Sequence, residues 1–341
     1  MTAGVPSGTD LAAVLHGPGD LRMERLPRPP LGDGQVRIEV RGVGVCGSDV
    51  HYYTEGRNGT NRVRVPSVLG HEGFGVITEA GPGVPAGRIG NRVAVEPAYP
   101  CGTCPTCRTG HYNVCPSGTC LGSPPTGGLL RSHAAVAADF AHDLPDAVPD
   151  AIAPLIEPLA VACWAYRRAR VRPGHRVLVT GAGPIGLLTA VVLRTAAVEV
   201  VISDVDSSRR QIARRLGLGV VIDGGSPLVE HSFDRLLECS GSSSALRAVT
   251  ALRPGGVAAL VGVPAVDAPV PLGWLHRWEI DLVGCFRYGP GGFAAAINLA
   301  SENSALLGQF VTARYPISAA AAGLESARND RRQLKIVVEP A

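Results

Sequence analysis

Residues 176–193 read RVLVTGAGPIGLLTAVVL. The short apolar strand pattern RVLVT runs into the tight turn GAGPIG, and a helix pattern with few polar residues follows. Gly181, Gly183 and Gly186 stand in G-x-G-x-x-G spacing. Alone, that spacing is a weak signal. Between a strand and the start of a helix it has a mechanical meaning. Gly181 makes the turn, Gly183 lets a pyrophosphate approach the backbone, and Gly186 lets the helix pack on the strand. The competing reading is a plain glycine turn in an α/β domain.

The following residues support the first reading. VEVVISD (198–204) is the next strand, and Asp204 ends it, 23 residues after Gly181. A carboxylate there binds the ribose hydroxyls of an adenosine and repels a 2′-phosphate, which favours NAD over NADP. Arg209, five residues on, either flanks the adenine or counters that preference by turning inward. RLLECSG (235–241) and GGVAALVGV (255–263) have the apolar density of later strands in the same buried parallel sheet.

Upstream the chain changes character. QVRIEVRGVGVC (35–46) alternates Val36, Ile38 and Val40, then Val43 and Val45, as half-buried strands do. GVITEAGPGV (75–84) and IGNRVAVEP (89–97) are short strands joined by Gly/Pro turns. DAIAPLIEPLAVACWAYRRA (150–169) has helical spacing, with Pro154 and Pro158 disturbing its start. After about residue 287 the pattern returns to short mixed elements. The fold class expected is α/β, with a β-rich domain joined to a doubly wound parallel-sheet domain.

The 341 residues suit two domains. Hydrophobic residues make up 45% and charged residues 18%, enough apolar content for ordinary cores. A net charge of +3 with scattered arginines points to neither a nucleic-acid binder nor a membrane-surface protein. The 43 glycines and 28 prolines punctuate without repeating, so a collagen-like or low-complexity chain is excluded. No signal-peptide pattern opens the chain and no long apolar run suggests a membrane span, so a cytoplasmic protein is expected.

Four of the nine cysteines crowd together in CGTCPTCRTGHYNVC (101–115). Cys101, Cys104, Cys107 and Cys115 follow C-x2-C-x2-C-x7-C. Four thiolates in one loop can enclose a tetrahedral ion with no open position, the chemistry of structural zinc. An iron–sulfur cluster, which also takes four cysteines, and disulfides are the alternatives.

Other metal-ligating and proton-transferring side chains lie apart in the sequence. GVCGSDVHYY (44–53) supplies Cys46, Ser48, Asp49, His51 and Tyr52; LGHEGFG (69–75) supplies His71 and Glu72; LIEPLAV (155–161) supplies Glu157. Each alone has a structural reading as a buried thiol, a satisfied histidine or a helix-capping carboxylate. His71 and Glu72 are neighbours, and in a strand neighbouring side chains point apart. Either they form an exposed polar pair in a turn, or the backbone bends, with Gly70 and Gly73 letting both reach one point. Thiolate, imidazole and carboxylate are sound zinc ligands, and three of them with one open position make a catalytic zinc.

With these segments assembled, the chain resembles the zinc-dependent medium-chain dehydrogenases, and within them the sorbitol (polyol) dehydrogenase group. GVCGSDVHYY, VLGHEGFG, the four-Cys loop, the run from LIEPLAV through GAGPIGL, ISDVDSSRR (202–210) and GCFRYG (284–289) carry the resemblance over nearly the whole chain. It implies a GroES-like catalytic domain, residues 1–155 and 288–341, with both zinc sites, interrupted by a Rossmann domain, residues 156–287, and an active site in the cleft between them. It implies catalytic zinc on Cys46, His71 and Glu72, structural zinc on the four cysteines, and so two zinc ions per chain.

The resemblance also implies roles. Glu157 is the carboxylate that holds the zinc-bound water and contacts substrate. Ser48 and His51 form a proton relay that runs through the nicotinamide ribose, and Asp49 orients the zinc-bound histidine. Tyr52, Arg287 and Tyr288 meet a polyol chain. Ile185, Val261 to Val263 with Gly262 between them, and Cys285, Phe286 and Arg287 join the glycine turn in contacting NAD. The implied reaction is transfer of a hydride from a secondary hydroxyl to NAD⁺, in a homo-oligomer, a dimer or tetramer.

Two departures from the family are visible. The segment between Asp223 and Phe233 is short. Gly118, Thr119 and Cys120 stand where polyol enzymes place aromatic residues. Competing readings are a related dehydrogenase of an amino alcohol, a sugar acid or a cyclitol, such as L-threonine or L-idonate, and, from another class, a non-catalytic dinucleotide-binding protein that kept the fold. The last predicts loss of the zinc ligands, and Cys46, His71 and Glu72 are all present.

Overall fold

The computed structural model describes residues 8–263 and 267–340. The chain divides into two units, Met1–Glu157 with Ile297–Ala341, and Pro158–Ala296. The chain returns to the first unit within helix Gly292–Glu302. Tyr288, placed in the catalytic domain by the sequence-based boundary, falls in the second unit.

The first unit is built on a seven-stranded sheet. Its centre is strand Gln35–Gly44, which pairs antiparallel with Glu72–Ala80, with His133–Ala137 and with the C-terminal strand Lys335–Glu339. Strand Gln35–Gly44 alternates as its sequence requires: Val36, Ile38 and Val40 are wholly buried. They join Leu15, Leu69, Ile77, Leu129 and Ile336 in one core. The pairing Gly44↔Glu72 and Val337↔Gly44 sets the ends of three strands side by side. Helix Gly47–Glu55 starts where Gln35–Gly44 ends, and closes on Gly56 in the left-handed region.

The second unit carries six parallel strands. Numbered along this unit, they are Arg176–Thr180, Glu199–Asp204, Val220–Asp223, Phe233–Glu238, Leu252–Leu260 and Asp281–Gly284. Their spatial order is 3-2-1-4-5-6, that of the doubly wound dinucleotide-binding sheet. The chain reverses its direction of sheet growth beside strand Arg176–Thr180, where such sheets open a crevice. Val177, Leu178, Val179, Leu236, Leu237, Ala258 and Ala259 are nearly or wholly buried, as expected of strands covered on both faces. Leu252–Leu260 ends earlier than the apolar run to Val263, which is 70% exposed. Pro154 falls in a 3₁₀ turn, Ala153–Leu155, and helix Ile156–Arg168 begins just after it with Pro158 in its first turn, where a missing N–H is harmless.

Among the described residues no helix is long and apolar enough to cross a membrane.

Candidate active site

Cys46, His71 and Glu72 come together in the first unit, with one ligand atom of each within 4.8 Å of the others. Gly70 resolves the geometry of the neighbouring pair. Its φ of +89° turns the chain before His71, and a Cβ there would meet Val43 Cγ1 at 2.8 Å. Glu72 is the first residue of its strand, so His71 lies outside the pleat that would send it to the other face. Gly73 has a different task from the bend expected of it. It sits within the strand at ordinary φ, and a Cβ would lie 2.3 Å from Leu129 Cδ1. Opposite Glu72, Gly44 leaves the space that the carboxylate fills: a Cβ there would be 2.2 Å from Glu72 Oε2.

Asp49 ties the ligand segments together. Its Oδ2 accepts from the Cys46 backbone N–H at 3.0 Å, and its Oδ1 accepts from the Gly70 N–H at 3.2 Å. Oδ1 also lies 3.6 Å from His71 Nδ1, so His71 Nε2 is the nitrogen left for a metal. Burial favours the neutral imidazole, but the charges of Asp49 and Cys46 outweigh it and hold His71 well above its ordinary pKa.

Lys335 completes this centre, and sequence reading missed it. Its buried Nζ donates to Glu72 Oε1 at 2.7 Å, to Oε2 at 2.5 Å, and to the Val45 carbonyl at 3.1 Å. Burial favours the neutral amine, yet Glu72 first, then Cys46 and Glu157, hold the ammonium above the ordinary lysine range. Each carboxylate oxygen has more than one lone pair, so the ion pair leaves Glu72 acceptor capacity for a cation. Glu157 is buried in the first turn of helix Ile156–Arg168. Ser48 and His51, three residues apart, share a face of helix Gly47–Glu55. Tyr52 is buried, and its hydroxyl accepts from Asn61 Nδ2 at 2.9 Å.

The four-Cys loop forms a second centre. Its sulfurs are 3.4 Å (Cys104–Cys107), 3.5 Å (Cys101–Cys115), 3.8 Å (Cys104–Cys115) and 4.0 Å (Cys101–Cys107) apart. Zn–S bonds of about 2.3 Å place tetrahedral sulfurs about 3.8 Å apart, so the set fits one ion. All four are free cysteines. Backbone N–H groups of Thr103 and Cys104 draw the Cys101 thiol down to about 6, towards the thiolate that a metal needs. Tyr112, inside the loop, donates to the buried Glu96 carboxylate at 2.6 Å and anchors the loop to the sheet.

In the second unit a cavity of about 470 Å³ opens at the glycine turn, lined by Gly181, Asp204, Gly224, Ser240, Ser244 and Arg247 among others. The three glycines divide their work. Gly181 has φ +90° and lies against the Ser240 backbone; a Cβ on Gly186 would be 1.8 Å from Gly181 O; one on Gly183 would meet nothing within 4 Å. Gly183 therefore faces the open space a ligand backbone contact requires. Asp204 accepts from the Ala182 N–H at 2.6 Å and the Asp206 N–H at 2.8 Å, which fixes its carboxylate beside the turn.

The N-terminal part, residues 32–146, matches the model for the alcohol dehydrogenase GroES-like domain, and residues 151–339 match that for the glucose dehydrogenase C-terminus. The chain is 35% identical to the sorbitol dehydrogenase of Mus musculus over 334 residues, 94% of this chain and 93% of that one. The chain belongs to the zinc-dependent medium-chain dehydrogenases. Among solved structures, an alcohol dehydrogenase from Escherichia coli complexed with NADH superposes with a TM-score of 0.89 at 27% identity, over 97% of this chain and 100% of that one. L-Idonate 5-dehydrogenase from Escherichia coli superposes equally well, with 0.89 at 27% identity over 97% and 98%.

This dehydrogenase is an oxidoreductase with zinc and NAD(H) as cofactors, and both metal-ligand sets fit zinc by donor type and spacing. Other expected contacts lie in the second unit. Val261 and Gly262 donate their N–H groups to the Glu238 carbonyl, both at 2.8 Å. The Cys285 N–H donates to Leu260 O at 2.9 Å, and burial pushes its thiol up to about 12. Phe286 is half-exposed beneath the Arg287 guanidinium, 4.8 Å from the ring centroid, and Tyr288 is wholly buried edge-to-face on Phe293. Ile185 is the second residue of helix Pro184–Arg194, which follows the turn. The Arg209 N–H donates to the Asp206 cap at 3.0 Å; the neighbouring Arg210 donates to the Asp204 and Val205 carbonyls and pairs with Asp223 at 2.8 Å.

The Ser240–Ser244 loop and Arg247 were not foreseen. Their chain position carries no motif, and they reach the cavity only because strand Phe233–Glu238 lies next to strand Arg176–Thr180.

Proposed function

We propose that the enzyme oxidises a secondary hydroxyl of a sorbitol- or xylitol-like polyol to the ketose, with NAD⁺ as hydride acceptor. The observation that carries the reading is the gathering of Cys46, His71 and Glu72, in a chain similar along nearly its whole length to sorbitol dehydrogenases. Zinc held by these three residues supplies Lewis acidity to the substrate hydroxyl. Cys46, His71 and Glu72 hold the ion, and Asp49 orients His71. Glu157 holds water or substrate by its carboxylate. Ser48 takes the hydroxyl proton and passes it towards His51 Nε2. Tyr52, Arg287 and Tyr288 are the residues assigned to substrate contact. The glycine turn, Ile185, Asp204, Arg209, Val261, Gly262, Val263, Cys285, Phe286 and Arg287 are assigned to the cofactor. Asp204 favours NAD by repelling a 2′-phosphate. The enzyme works as a cytoplasmic homo-oligomer, a dimer or tetramer.

A sugar acid is the second reading, favoured by the similarity to L-idonate 5-dehydrogenase. The deciding experiment is a panel of polyols, L-idonate, L-threonine and cyclitols with NAD⁺ and NADP⁺, on protein of measured zinc content. NADH formation with polyols supports the proposal. Turnover confined to acidic sugars replaces it with the second reading, and none on any alcohol at full zinc loading sinks both.

A further inference from the structure

Three polar residues mark one face of helix Gly47–Glu55: Ser48, His51 and Glu55, at i, i+3 and i+7. Ser48 is half-buried, and the side chains of His51 and Glu55 are exposed. His51 Nδ1 lies 2.9 Å from Glu55 Oε1. An ionised carboxylate can only accept, so the hydrogen of a neutral His51 sits on Nδ1 and the lone pair on Nε2.

We propose that Glu55 is a positioning residue of the proton relay, fixing His51 in the tautomer whose Nε2 accepts the substrate proton and balancing the imidazolium that results. The inference rests on the reading of His51 as a relay member. The proton leaves the substrate hydroxyl through Ser48, arrives at Nε2, and is later lost to bulk water, which returns His51 to the neutral form with hydrogen on Nδ1. Glu55 stays ionised throughout, so no co-reactant is consumed.

The surroundings agree with that role. The hydrogen bond from His51 holds the Glu55 carboxyl below the usual range, and Arg57 adds to this. Arg57 Nε is 3.7 Å from Glu55 Oε2, farther than His51. On strand pairing, Arg62 stands opposite Arg57. The acidic and basic groups of helix Ala320–Asn329 that face helix Gly47–Glu55, Glu325 and Arg328, act on Tyr53. Glu55 is thus the carboxylate hydrogen-bonded to His51.

The test compares wild type, Glu55→Ala, Glu55→Gln and His51→Gln as zinc-loaded enzymes, with NAD⁺ and the best polyol of the panel. The ¹⁵N spectrum of the imidazoles, with His51 assigned by its loss in His51→Gln, reads the tautomer directly. Expected are the Nδ1–H form in wild type and Glu55→Gln, whose amide oxygen still accepts, and a shift towards Nε2–H in Glu55→Ala. The acid limb of kcat should move to lower pH by about half a unit in both Glu55 variants, a small shift because the pair is exposed and water screens it. The high-pH plateau should fall only in Glu55→Ala. Zinc content, Tm and KM for NAD⁺ should stay near wild type. An unchanged tautomer and acid limb in Glu55→Ala, while His51→Gln loses activity, overturns the role of Glu55 and leaves the relay standing. An unchanged kcat and pH profile in His51→Gln overturns the relay and the inference with it.

Discussion

Lys335 Nζ lies 2.7 Å and 2.5 Å from the two carboxylate oxygens of Glu72, and both residues are buried. The pair is 263 positions apart in sequence and meets because the C-terminal strand lies beside Gln35–Gly44. Glu72 therefore faces a cation on the protein side and keeps lone pairs with which it could hold a metal ion. Removing the ammonium leaves a buried carboxylate without its hydrogen-bonded counter-charge, which costs about 3–5 kcal/mol. Bound zinc restores part of that balance. Lys335→Met should therefore show a larger rise of Tm on zinc loading than wild type, measured by thermal unfolding of chelated and reloaded protein. Equal rises would show that Lys335 does not compensate Glu72.

The same carboxylate depends on a missing side chain. A Cβ on Gly44 would fall 2.2 Å from Glu72 Oε2, so Gly44→Ala must push the carboxylate away. The expected result is loss of one zinc per chain and of turnover, with NADH binding by the second unit retained. Metal analysis and NADH fluorescence titration separate the two effects.

The four-Cys loop makes the opposite prediction. Cys104→Ser breaks one corner of the sulfur tetrahedron. One zinc per chain should be lost, and Tm should fall. The chemistry at Cys46, His71 and Glu72 should persist, with kcat within about threefold of wild type, roughly 0.7 kcal/mol in barrier. Abolished turnover in a folded protein would assign the loop to catalysis instead.

Asp204 is bonded to the Ala182 and Asp206 N–H groups, so its carboxylate is pinned beside the glycine turn. Asp204→Ala should raise KM for NAD⁺ about tenfold, the loss of roughly one charged hydrogen bond, and relax discrimination against NADP⁺. Asp204→Asn, which keeps an acceptor oxygen but no charge, should relax discrimination with a smaller rise. An unchanged NAD⁺ to NADP⁺ ratio in both would remove Asp204 from cofactor selection.

Zinc binding and protonation compete at His71. Its folded-state pKa is raised when no metal is bound, with Asp49 and Cys46 overcoming burial. The charged form then stabilises the zinc-free protein below the ordinary histidine pKa, and that contribution is lost as pH rises through the folded value. A zinc ligand must be neutral, so the affinity for zinc falls on acidification, by about tenfold per pH unit from this residue alone. The stabilisation gained from zinc should therefore shrink as pH falls, which unfolding of zinc-loaded and zinc-free protein across pH 5 to 9 measures. A gain independent of pH would contradict the assignment.

The sequence alone determined what depends on local spacing. The glycine turn and the four-Cys loop each act within a few turns of chain, and their residue types have few other uses at that spacing. The alternation of Gln35–Gly44 and the apolar strands of the second unit followed from the period of burial. Tertiary structure decided the rest. Ionic balance at Glu72 needed Lys335 from a strand paired across the sheet, and the cavity wall needed Ser240–Ser244 from a neighbouring parallel strand. Only packing could show that Gly73 makes room for Leu129, that Arg210 grips the Asp204 carbonyl, and that Tyr288 is buried. Local motifs are legible because their partners are close along the chain. Charge compensation and side-chain direction are not, because they depend on which distant strand the backbone hydrogen bonds bring alongside.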